Sequence, residues 1–108
     1  MEVAVSKNGT PIRITDERWT HVVESHDYMA GNRDLVVETI EDPDSVVTGG
    51  KGELIALRHY QATSISEKHV VVVYREIEND GFLITAFMTS APETILWKGV
   101  IWQRPQTS

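Results

Sequence analysis

Four histidines are spread along the chain, and two of them, His21 and His26, lie five residues apart in "RWTHVVESHDYM". The other two, His59 and His69, fall in strand-like segments beside basic residues, "ALRHY" and "EKHVVVVYRE". Imidazole titrates near neutrality and serves as base or acid, while Arg or Lys holds an anion. Such groups suit RNA cleavage without a metal. A base takes the 2′-hydroxyl proton, an acid protonates the leaving 5′-oxygen, and a cation offsets the charge growing on phosphorus. A helix carrying His packed on a sheet carrying Arg, Lys and Thr would assemble that set. The same residues also have plain roles: His26 satisfied by a backbone carbonyl near a helix end, and Arg58, Lys68 and Arg75 solvated on strands.

The elements that must position these groups follow from the hydrophobic pattern. "PIRIT" is a short extended piece, after which Thr15 or Asp16 caps a helix. Trp19, Val22, Val23 and His26 recur at one-face helical spacing, which puts His26 at the edge of the apolar stripe and His21 elsewhere. Five residues turn a helix by about 140° past full circle, so the two imidazoles do not form an i, i+4 metal pair. Asn32 can cap a second helix whose face is Leu35, Val36, Thr39 and Ile40, and Pro43 ends it.

Strand signals follow. "SVVTGGKGE" reads as a brief strand entering a glycine turn. "ELIALRHY" alternates, with Leu54, Ala56, Arg58 and Tyr60 on one face and His59 on the other. "KHVVVVYREI" reads as a central strand, and "NDG" (Asn79 to Gly81) as the turn of a hairpin spanning residues 68–90. The tail "ETILWKGVIWQRP" fits either a strand or a short helix.

Composition narrows the options. At 108 residues the chain suits one domain, and 41% hydrophobic with 24% charged residues is the balance of a folded globule rather than a disordered chain. Without cysteine there is no disulfide, thiolate metal site or cysteine nucleophile. No apolar stretch approaches a membrane span and the N-terminus lacks a signal pattern, so no membrane association and a cytoplasmic location are expected. No P-loop, dinucleotide fingerprint, His-Glu-x-x-His pair or Gly-x-Ser-x-Gly elbow is present. The net charge of -6 opposes broad polyanion binding, yet residues 1–53 hold 11 acids and 5 bases while residues 54–108 hold 5 of each. The acidity therefore belongs to the first half.

The succession "RITDERWTHVVESHDYM", "LVVETIEDPDSVV", "ALRHY", "KHVVVVYRE" and "GFLITAFMTS" resembles the phage-associated nuclease-like families grouped with barnase, EndoU, tRNA-cleaving colicins and RelE. The resemblance covers residues 12–90. It implies an α+β fold in which N-terminal helices pack on an antiparallel β-sheet of about four strands, as one nuclease-like domain over residues 1–108. It also implies that His26, His21, Arg58 and Thr85 are catalytic and that Lys68, Tyr60 and His59 bind substrate, with neither metal nor cofactor. The implied activity is a metal-independent ribonuclease, a toxin or phage-linked effector, cleaving a specific RNA such as tRNA, with an inhibitor or immunity protein as partner. Two departures stand out: the chain is acidic, and His59 shares no strand face with Arg58. The competing expectation is a noncatalytic protein-binding module on the same fold that uses its acidic N-terminal half.

Overall fold

The computed structural model describes residues 1–105. The chain runs β1 (Glu2–Val5), β2 (Pro11–Ile14), α1 (Asp16–Ser25), a 3-10 turn (Asp27–Met29), α2 (Arg33–Glu41), β3 (Ser45–Thr48), β4 (Leu54–Tyr60), β5 (Lys68–Ile77), β6 (Asp80–Thr89), α3 (Glu93–Leu96) and β7 (Val100–Gln103). The class is α+β, but the expected four-stranded antiparallel sheet behind N-terminal helices is corrected. Among the described residues seven strands form one mixed sheet in the order β1-β2-β6-β5-β4-β3-β7, and two strands precede the first helix. No helix among the described residues is long and apolar enough to cross a membrane.

The additional strands lie where the apolar pattern is thin. β1 buries only Ala4, and β7 buries no residue fully, so neither displays a clear period of two. β2 buries Ile12 and Ile14 and runs parallel to β6, pairing Ile12 with Gly81 and Arg13 with Phe82. That contact needs glycine: a Cβ on Gly81 would sit 2.6 Å from both the Arg75 carbonyl oxygen and Ile12 Cδ1. The tail resolves into both of its alternatives, α3 followed by β7, with β7 paired to β3.

α1 starts as its residues dictate. Thr15 stays extended and its Oγ1 accepts the Arg18 N–H at 3.1 Å, while Asp16 and Glu17 face the positive end of the helix dipole. The helix stops at Ser25, so His26 lies beyond it as the C-cap, with φ -139 and ψ 81, and not on its face. At α2 the cap differs as well: the Asn32 side chain makes no capping bond and instead donates to the Tyr28 carbonyl (2.9 Å) and Ser64 Oγ (3.1 Å).

Both helices pack on one sheet face. Trp19, Val22, Val36 and Ile40 close over Ala56, Val70, Val72, Tyr74, Leu83 and Ala86. Each fully buried aliphatic side chain contributes roughly 1.5–3 kcal/mol relative to exposure. On the other face Ile95 of α3 covers Val47, Ile55, Leu57 and Val71, with Val73 and Phe87 only partly buried.

The β5–β6 hairpin forms as expected, but its turn is Glu78–Asn79, since Ile77 already pairs with Asp80. Glu78 takes φ 58, an unfavourable conformation for a residue with a side chain. Gly81 is left to the β2 contact. Farther on, Val73 pairs with Thr85 and Tyr74 with Leu83, so Ile84 is a bulge residue. The bulge keeps Leu83 and Ala86 on the helix face and leaves Thr85 on the opposite one.

Candidate functional site

The antiparallel register places His59 directly opposite His69 across β4 and β5, and their ring centroids are 5.0 Å apart. Cross-strand neighbours on one face approach this closely because the pleat aims their side chains the same way. Two further contacts complete the cluster. Glu67 Oε2 lies 2.7 Å from His59 Nε2, and the Lys68 ammonium donates to Ser90 Oγ at 2.6 Å. His59, Glu67, Lys68, His69 and Ser90 line one open cavity of about 300 Å³.

The surrounding chain fixes this end of the sheet. The His59 backbone N–H donates to Asp44 Oδ2 at 2.7 Å, and the loop between β4 and β5 is tied to the 3-10 turn through Asn32 and Ser64. Partial burial, then the neighbouring His59, lower the pKa of His69 below the ordinary histidine value, although Asp44, Glu67 and Glu93 pull the other way. Its neutral form is therefore favoured near neutrality, which suits a proton acceptor. Glu67 gives the His59 Nε2–H an acceptor, which would orient the ring and leave Nδ1 for other partners. Among the described residues no three His, Asp or Glu side chains gather as metal ligands.

The residues expected from the sequence are distributed over several places. His21 is exposed on α1, its Nδ1 3.9 Å from Glu24 Oε2. His26 packs against Tyr28 and Phe87, with ring centroids 5.7 Å away in each case, and its Nδ1 is 3.3 Å from the Tyr28 hydroxyl. That hydroxyl accepts the Met88 N–H at 3.2 Å. The reason is local: β2 pairs with β6 only near Gly81 and Phe82, so the later part of that β6 edge needs another acceptor. His26 and Tyr28 thus close a sheet edge.

Arg58 stands on the helix face, held by carboxylates. Its Nη1 donates to the Asp42 carbonyl oxygen (2.6 Å) and Asp42 Oδ2 (2.9 Å), and its Nε is 3.6 Å from Glu38 Oε1. Its guanidinium also lies 5.5 Å from the Tyr60 ring centroid, and the Tyr60 hydroxyl donates to Glu38 Oε1 at 2.6 Å. Burial and then the Glu38 bond push the Tyr60 pKa upward, so its phenol stays a donor. Arg104 grips Asp42 from the other side, with Nη1 2.9 Å from Oδ1. Hydrogen bonding from Arg104, followed by Arg58, outweighs desolvation and holds the Asp42 carboxyl below its usual range. Arg58 therefore belongs to a clamp joining α2, β4 and the chain after β7.

Thr85 is half-buried on the face opposite Arg58, paired with Val73. Of the expected residues, Lys68 and His59 share the cavity, while His21, His26, Arg58, Tyr60 and Thr85 do not line it. His69, Glu67 and Ser90 were missed by sequence reasoning. A usable signal existed: His59 and His69 flank one β4–β5 connection at equal distances from its middle, so a symmetric hairpin pairs them.

A scan against protein-family models and searches of curated proteins and solved structures returned no match for this chain.

Proposed function

We propose that the chain is a ribonuclease whose acid–base pair is His69 and His59, with Lys68 at the phosphate. The observation that carries this reading is the pair of imidazoles 5.0 Å apart, in one cavity with Lys68. His69 accepts the 2′-hydroxyl proton as that oxygen bonds to phosphorus. The P–O5′ bond breaks, and protonated His59 gives its proton to the departing 5′-oxygen. The products are a 2′,3′-cyclic phosphate and a 5′-hydroxyl, and the Lys68 ammonium offsets charge on the non-bridging oxygens. The net charge of -6 favours a defined RNA over bulk RNA, because few cations are available for nonspecific phosphate contacts.

The test is cleavage of a single-stranded RNA in a chelating buffer, with product ends identified. New 2′,3′-cyclic phosphate ends are expected, together with inertness of the 2′-deoxy strand. Wild-type protein that leaves every RNA intact, or cuts the deoxy strand equally, contradicts the reading.

A second reading, a noncatalytic module that binds a basic protein partner, has its own observation. Asp16, Glu17, Glu24, Asp27, Asp34 and Glu41 are all exposed on or beside the two long helices. It predicts salt-sensitive binding of a basic polypeptide that weakens when Glu24 and Asp34 are changed to Lys. Binding indifferent to both changes counts against it.

A further inference from the structure

A second cavity, of about 310 Å³, lies at the other end of β4, lined by Thr48, Gly49, Gly50, Trp97 and Lys98. Its chemistry differs from that of the histidine cavity. Trp97 is 76% exposed, so its indole adds little to the fold and presents a broad apolar surface to solvent. Lys98 follows it, also exposed, and Gly49 and Gly50 supply backbone without side chains. Thr48 adds a hydroxyl. An open indole beside an ammonium and a bare backbone turn matches a planar, hydrogen-bonding ring attached to an anion.

The sheet relates this cavity to the first. Thr48 pairs with Leu54 at the start of β4, and His59 lies five residues along the same strand, about 17 Å at the usual strand rise. α3 lies on the same sheet face as His59 and His69, through Ile95 against Leu57 and Val71, and Trp97 and Lys98 follow it directly in the chain. We infer that Trp97, with Lys98 and the Thr48–Gly50 turn, is a nucleobase subsite that holds a single-stranded RNA several nucleotides away from the phosphate cleaved at His59 and His69. This inference rests on the ribonuclease reading and supplies the substrate class: an unpaired strand longer than a dinucleotide, whose distant base stacks on Trp97.

The experiment compares wild type, Trp97→Ala, Trp97→Phe and His69→Ala on a dinucleotide and a hexanucleotide. Cleavage is followed with RNA, and binding by the anisotropy of a labelled, uncleavable 2′-O-methyl hexanucleotide. Trp97→Ala is expected to weaken hexanucleotide binding about tenfold and raise its KM alike, with dinucleotide cleavage unchanged. Trp97→Phe should restore most of the loss, and His69→Ala should bind normally. Cleavage of both lengths with no dependence on Trp97 overturns the subsite while leaving the ribonuclease reading intact. Binding that depends on Trp97 without cleavage by any variant leaves the subsite standing and removes the acid–base reading. Binding equal in wild type and Trp97→Ala overturns the subsite in either case.

Discussion

On the helix-covered face of the central strands, Ala56, Val70, Val72, Tyr74 and Ala86 are each no more than 1% exposed. On the opposite face Leu57 and Val71 are nearly as closed, but Val73, Thr85 and Phe87 stay half-buried, and His59 and His69 reach an open cavity. The difference follows from the covering elements. α1 and α2 are 10 and 9 residues long, whereas α3 has 4 residues and spans only part of its face. A fully covered face can do little except stabilise. A partly covered one lowers the pKa of His69 by burial while leaving it within reach of a ligand.

The largest effect that sharpens this contrast is expected at Ile40, which is 0% exposed on the sheet-facing side of α2. Ile40→Ala should cost about 2–5 kcal/mol in urea unfolding, since it removes buried methyl groups and leaves a cavity. RNA cleavage by the folded fraction should not change. Next comes Arg58→Ala. With Arg58 24% and Asp42 50% exposed, the clamp is partly screened, and a loss on the order of 1–2 kcal/mol is expected, again without loss of cleavage. A well-folded Arg58→Ala protein that no longer cuts RNA would move the guanidinium from the clamp to the substrate.

The smallest effect is a pH dependence. His69 has a lowered pKa in the folded protein, so below the ordinary value of 6.5 the unfolded chain binds the proton more readily. Its contribution to stability is full above that value and is lost as pH falls through it towards the folded pKa. Melting temperatures of wild type should decline on acidification below pH 6.5 more steeply than those of His69→Gln. Parallel curves for the two proteins would show that folding does not lower the His69 pKa.

Much of this division was legible in the sequence, because alternation in "ELIALRHY" and "KHVVVVYREI" assigns the strand faces and correctly separates Arg58 from His59. The helix faces around Trp19 and Ile40 were legible too, through their 3.6-residue period. β1 was not, and β7 was legible only as one of two alternatives for the tail, because edge strands that bury almost nothing on either face carry no strong alternation. Nor was the end of α1. A run of helical spacing includes His26, yet the helix yields one residue earlier to the 3-10 turn that brings Tyr28 to the Met88 N–H. Of the residues lining the histidine cavity, Lys68 and His59 were named only through the family resemblance, while pairing His69 with His59 needed the strand register, which is a long-range property of the hairpin. Thr85 was displaced to the other face by the bulge at Ile84, which depends on packing and leaves no local mark.

The most direct test of the central claim is the rate of RNA cleavage by His69→Ala beside that by His26→Ala, with both proteins verified as folded. Loss of an acid–base group is worth roughly 100-fold or more, so His69→Ala should fall by at least that factor while His26→Ala stays near wild type. The reverse pattern, with His26→Ala inactive and His69→Ala near wild type, would place the chemistry at the β6 edge beside Tyr28 and contradict the account.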